Sequence, residues 1–240
     1  MKNFVSVLFA VTFCVLLSAS AVAQQSVAPP PKPANDAPVA APAASGPTLA
    51  ETMKLIQEKL KEQGQVEFVE TVSVQNQPSI TIRFSVRRRE DDVVAAPAAC
   101  TLHAAGTFDQ SLVTSAEGKT VSTENQHSDI SGTLAFKDVE KITVEHILDF
   151  SNRHFTESGH PELTASAATP VFFVELSAAK TLFIRHESNT IGKQAPVVTD
   201  KPLKEAGLVF RDEETANRVA KAILHAVELC GGGNKVKEPF

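Results

Sequence analysis

The sequence contains no tryptophan and no tyrosine, so the aromatic side chains that carry most carbohydrate platforms and protein-binding hot spots are absent. Phenylalanine, with 14 copies, is the only aromatic to build with. No surplus of positive charge exists either: 23 Lys and Arg against 28 Asp and Glu leave a formal net charge of -5. Nucleic acid is excluded as the main partner on that ground, because phosphate binding needs an excess of cations. Missing too are G-x-S-x-G, G-x-G-x-x-G and G-x-x-x-x-G-K-[ST], which removes the serine-hydrolase elbow and both common phosphate-binding loops. The triple glycine at 231–233 follows a helical pattern, whereas a phosphate loop precedes one. No cofactor is implied.

Cysteine is scarce, with three copies. Cys14 lies in a segment with the layout of a secretory signal peptide, residues 1–23: Lys2 as the positive head, an apolar core from Phe4 to Leu17, and Ala21-Val22-Ala23 as a small-x-small cleavage site. The core is short for a bilayer span, which separates this reading from an uncleaved anchor. Bulky Phe13 before Cys14 argues against a lipid-attachment site. Cleavage leaves Cys100 and Cys230, an even pair in an oxidising compartment, which is expected to form one disulfide; the alternative is two buried free thiols. The localisation this implies is periplasmic or secreted.

Residues 24–47 hold seven of the 14 prolines among Ala, Gln and Ser, a composition that cannot build a core and reads as a flexible tether. The folded part is expected over 48–240 as one α+β domain. Thr48 and Glu51 have capping-box spacing, and Leu49, Met53, Ile56 and Leu60 give a helix stripe that Gly64 ends. A series of strands follows. Gln65–Val74 and Ser79–Arg89 are read as strands about a turn at 75–78, the second alternating Ile80, Ile82, Phe84, Val86 against Thr81, Arg83, Ser85, Arg87. Ala99–Phe108 is read as a third strand, 109–129 as a surface loop and Ser131–Phe136 as a fourth strand. Ile142, Val144, His146, Leu148 and Phe150 are read as one face of a fifth strand, and 152–169 as polar and irregular, with room for a short extra strand. Val171–Leu176 and Thr181–His186 look like a hairpin about Ser177–Lys180, and 188–204 like a loop before a last strand at Leu208–Phe210.

The chain then closes on its clearest element. Asp212 stands at an N-cap, Glu213 and Glu214 oppose the helix dipole, and Ala216, Val219, Ala220, Ile223, Val227 and Cys230 form an apolar stripe before the glycine stop. Antiparallel strands sealed by one C-terminal amphipathic helix resemble, over about 65–235, the pleckstrin-homology-like superfold, which implies a strongly bent sheet or open barrel. The helix at 49–63 is an addition to that pattern. Phe210 to Gly232, FRDEETANRVAKAILHAVELCGG, is similar to the ending of a family of uncharacterised secreted bacterial proteins, a resemblance that implies architecture and no activity.

Residues with chemical capacity are few. His146 on an apolar strand face is expected to be a hydrogen-bonded core residue. His154, His160, Glu157 and Glu162 could form a zinc-type cluster, though their spacing matches no metal motif. Glu145 and Asp149 share a strand face, where paired carboxylates are usually solvated. Arg87-Arg88-Arg89 is offset by Glu90-Asp91-Asp92, and the first hairpin lacks the basic residues of a phosphoinositide site. No catalytic, cofactor or metal residue is assigned. The expected function is a non-enzymatic binding module for a protein or peptide that adds a strand to an open sheet edge. The alternative is a secreted hydrolase or metal enzyme built from His146, His154, His160 and Glu157.

Overall fold

The computed structural model describes residues 46–74, 78–116, 119–167, 169–192 and 194–232. The signal segment 1–23, nearly all of the linker 24–47 and residues 75–77 of the first turn lie outside them.

The described residues form an α+β fold with two antiparallel sheets and three α-helices. Helix α1, Leu49–Glu62, opens with Thr48 and Glu51 in a reciprocal capping box: the Thr48 hydroxyl accepts from the Glu51 N–H and the Glu51 carboxylate accepts from the Thr48 N–H. Strands β1 (Gln65–Ser73), β2 (Ser79–Arg88), β4 (Thr101–Ala116), β5 (Lys119–Ala135), β9 (Phe183–Ile191) and β10 (Val197–Leu203) form most of the large sheet. Short β7 (Thr164–Ala167) borders β1, and β3 (Val94–Ala96) pairs with β4. The order is β10-β9-β5-β4-β2-β1-β7, so the sheet is open, with β10 on one edge and β7 on the other. The small sheet is β11-β8-β6, from β6 (Lys141–His146), β8 (Phe172–Ser177) and β11 (Glu205–Phe210). Helix α2 is Ile147–Glu157 and helix α3 is Glu213–Leu229.

Helix α3 seals the main core. Its N-cap Asp212 accepts from the Thr215 N–H at 2.7 Å. Ala216, Val219, Ala220, Ile223, Ala226 and Val227 bury one stripe completely. They belong to one core cluster with Met53, Ile56 and Leu60 of α1, Ile142, Val174 and Leu176 of the small sheet, and Leu102 and Leu134 of the large one. One core therefore joins both sheets and two helices. Gly231, at φ 79, ends α3 in the left-handed turn that a side chain resists. One residue earlier, Cys230 is bonded to Cys100, with the two Cα atoms 5.9 Å apart across 130 residues of chain.

Four readings of the chain differ from the structure. Residues 109–116 and 119–129 lie in the long strands β4 and β5, which pair antiparallel. They look like a loop because the inner face of β5 carries Glu124, Gln126 and Ser128, so burial leaves no apolar alternation. The strand read through Phe150 ends at His146, where α2 begins. Ile147, Phe150, Ser151, His154 and Phe155 are its buried face, and the period-two pattern of Ile142–Phe150 arises from a strand and a helix in succession. Ser177–Lys180 is no hairpin turn, since β8 belongs to the small sheet and β9 to the large. The segment 188–204 contains the end of β9 and all of β10.

Candidate functional site

The solvent face of the large sheet is shaped into a cradle of about 690 Å³. Antiparallel register builds its floor. Glu67 lies opposite Ser85, Ser85 opposite Asp109, Asp109 opposite His127 and His127 opposite Thr190, one row across five strands. The neighbouring row on the same face runs Val69, Arg83, Ser111 and Asn125, and ends where Gly192 donates its N–H to the Asn125 carbonyl at 3.0 Å. Alternation turns the row between them, Phe68, Phe84, Gln110 and Gln126, to the inner side. There Phe68 stacks on Phe84 at 4.6 Å between ring centroids and stiffens the floor from beneath.

The cradle is polar, with hydroxyls from Ser85, Ser111 and Thr190, an amide from Asn125, and charges of both signs. His127 is its most constrained group. Its Nδ1 lies 2.5 Å from the Asp109 carboxylate and its Nε2 lies 3.6 Å from Asp129. The bond to Asp109, assisted by both negative charges, raises the pKa of this imidazole above its ordinary range. Arg89 donates to Asp129 at 2.9 Å and extends the chain of ion pairs. Both ring nitrogens of His127 face carboxylates, and neither is directed at a serine to act as its base. Arg83 has no ion-pair partner among the described residues and is exposed, free to meet a ligand.

The residues singled out in the sequence do not assemble. His146 is the N-cap of α2: its Nδ1 accepts from the Leu148 N–H at 3.3 Å and its ring meets Phe172 edge-on. His154 is on the buried face of α2, stacked with Phe150, while His160 bonds Glu162 at 3.3 Å. Glu157 pairs with Arg153, which also holds Glu145 and Glu175, so Glu145 is partnered and Asp149 sits in the first turn of α2. Among the described residues, no three His, Cys, Asp or Glu side chains converge to hold a metal ion. Of the basic run, Arg88 turns inward and donates to the carbonyls of Gln63 and Val209, with its guanidinium over the Phe210 ring.

Sequence reasoning missed the cradle. Only the register of β4 on β5 brings Asp109 to His127, and Gly118, the one glycine in the stretch, was the available hint of a turn. Three further histidines also have partners: His186 bonds Asp200, His103 bonds Thr133 and His225 bonds the Pro47 carbonyl.

A second exposed feature adjoins the cradle. Edge strand β10 pairs with β9 alone among the described strands, and Val197 and Val198 at its start are 60% and 73% exposed, on opposite faces. Its other half carries Lys201 and Pro202, residues that blunt an edge, since proline offers no N–H to a further strand. No helix among the described residues is long and apolar enough to cross a membrane. Comparison with known proteins adds no constraint, for no family model, no curated protein and no solved structure matches the chain.

Proposed function

We propose that this protein is an exported, non-enzymatic binding module, periplasmic or secreted, whose ligand is an extended peptide or protein segment that adds a strand to the β10 edge. One observation carries the reading: the open edge of the large sheet begins with two apolar side chains, Val197 and Val198, left in solvent on both faces of the strand. Such an edge offers alternate backbone N–H and C=O groups to an incoming strand, with apolar contact above and below. The guard at Lys201-Pro202 limits pairing to the first half of β10 and fixes where the ligand begins. Export is supported by the layout of residues 1–23 and by the Cys100–Cys230 bond, which suits an oxidising compartment.

The finer fold reading belongs to the same proposal. An open antiparallel sheet together with a C-terminal helix packed into the core supports kinship with the pleckstrin-homology-like superfold and with the uncharacterised secreted family whose ending resembles Phe210–Gly232. The inserted helix α2 and the eleven strands among the described residues depart from that pattern.

The test is selection of displayed peptides on the purified protein, followed by binding measurements with Val198→Lys. The selected peptides are expected to alternate apolar and polar residues, and the variant to weaken them about tenfold by placing a charge on the edge. Peptides that bind the variant as tightly as the parent, or a selection that enriches none, would overturn the assignment.

A further inference from the structure

Strand addition at β10 leaves the outer cradle unused, and the cradle's chemistry points to a ligand of its own. Its volume of about 690 Å³ falls within the range of about 300–1,000 Å³ usual for small-molecule sites. Unlike most such sites it is polar, since Val69 alone is apolar among the side chains of its two outward rows. A lipid chain would find nothing to lie against there, whereas a hydroxylated molecule finds partners.

Charge narrows the class further. Glu67, Arg83, Asp109 and His127 are the ionisable side chains that line the cradle among the described residues. Three of them are engaged already: Asp109 holds His127 at 2.5 Å, and Glu67 accepts from the Gln65 amide. Exposed Arg83 has no hydrogen-bond or ion-pair partner among the described residues, so its charge is the one left to meet a ligand. Its planar fork matches a carboxylate. The two carboxylates in the same floor repel a second negative charge, which favours a monoanion over a phosphate dianion. Register then sets Ser111 opposite Arg83 and Asn125 opposite Ser111, at about 4.8 Å from strand to strand. A hydroxyl and an amide therefore stand within about 10 Å of the Arg83 backbone, close enough for one small molecule to touch all three. Ser85 also lines the cradle, and its hydroxyl, in the row between Glu67 and Asp109, is buried without a hydrogen-bond partner, which leaves the floor short of one.

We propose that the cradle binds a small hydroxylated carboxylic acid of the sugar-acid class, with its carboxylate on Arg83 and its hydroxyls on Ser111 and Asn125. With no Trp or Tyr in the chain to stack a sugar ring, the charge of Arg83 supplies the anchor. Arg83 is on β2, separated from β10 by β4, β5 and β9, so this site stands or falls independently of strand addition.

Calorimetric titration of the purified protein with glucuronate, galacturonate and gluconate tests it, beside glucose, acetate and inorganic phosphate at fixed ionic strength. At least one of the three sugar acids is expected to give saturable heat and a saturable rise in melting temperature, since a ligand of the folded state stabilises by mass action. Glucose lacks the charge and acetate lacks the hydroxyls, so each is expected to bind at least about tenfold more weakly. Arg83→Gln is expected to bring the sugar acid down to the level of glucose, and Arg83→Lys to keep part of the difference. Should Arg83→Gln fail to fold, Ser111→Ala is read instead, with affinity lowered about threefold by loss of one hydrogen bond. Val198→Lys is expected to leave the sugar acid unaffected, and a loss there would place the ligand at the β10 edge and overturn the cradle. No saturation with any of the three acids, glucose or acetate bound as tightly as the acid, or an Arg83→Gln variant that binds the acid as the parent does would overturn it too. Phosphate bound more tightly than every sugar acid would overturn the assignment of a monoanion.

Discussion

Glu70 illustrates what one buried charge does to the molecule. It faces inward from β1, between the apolar group of Val72, Ile82 and Phe155 and that of Phe68, Ile147 and Phe150. Burial pushes its carboxyl up to about 7, and a bond with Ser151 of α2 offsets only part of that shift. The sign follows from linkage. An acid whose folded pKa lies above its unfolded one binds more protons when folded, so stability falls as pH rises from about 4.5 to about 7 and stays reduced above. Glu70→Gln keeps the shape without the charge. It is expected to raise stability at pH 8 by about 3 kcal/mol at most, and to leave stability at pH 4 nearly unchanged. Denaturation midpoints of parent and variant across that range would test this, and parallel pH profiles would show that Glu70 is not ionising in place.

At the level of elements, helix α3 was legible in the sequence and strand β5 was not, for physical reasons that differ. A helix is announced locally: Asp212, Glu213 and the stripe from Ala216 to Val227 lie within four residues of the groups they act on. A strand is announced by which face it buries, and β5 buries Ser128 and faces Glu187 and Asn189, so the usual alternation fails. The same failure hid β10, whose first residues are apolar on both faces and exposed. The candidate cradle was less legible still. Asp109, His127 and Thr190 are distant in sequence and meet through register alone, which no local pattern of residues announces. Ile223 is fully buried where helix α3 meets both α1 and the small sheet. Ile223→Ala is therefore expected to cost about 2–5 kcal/mol, read as a lowered denaturant midpoint with the slope unchanged. A loss below about 1 kcal/mol would mean that the helix does not seal the core.

Across the whole molecule, the Cys100–Cys230 bond joins the two ends of the construction problem. Cys100 precedes β4, the long central strand of the large sheet, and Cys230 caps α3, the last of the described elements. Cys100 sits at φ 56, the single non-glycine residue with positive φ among those described, on a short turn begun by Pro97. A residue held in that region costs free energy, and here a bond to the helix end fixes its side chain in place. Closing so long a loop removes freedom chiefly from the unfolded chain, by about 4–5 kcal/mol on the chain-entropy model, with native strain subtracting from it. The bond adds to what already holds the C-terminal end of helix α3: Ala226 and Val227 are buried in the core, and Gly232 donates to the Val227 carbonyl at 2.9 Å. The double variant Cys100→Ser, Cys230→Ser is accordingly expected to lower stability by up to about 4 kcal/mol, and hydrogen exchange to rise first in the last turns of α3. Reduction of the parent by dithiothreitol should reproduce both effects. If denaturant midpoints and exchange at 224–230 match those of the oxidised parent, then α3 is held by packing against α1 and the small sheet alone, and the bond serves some end other than stability.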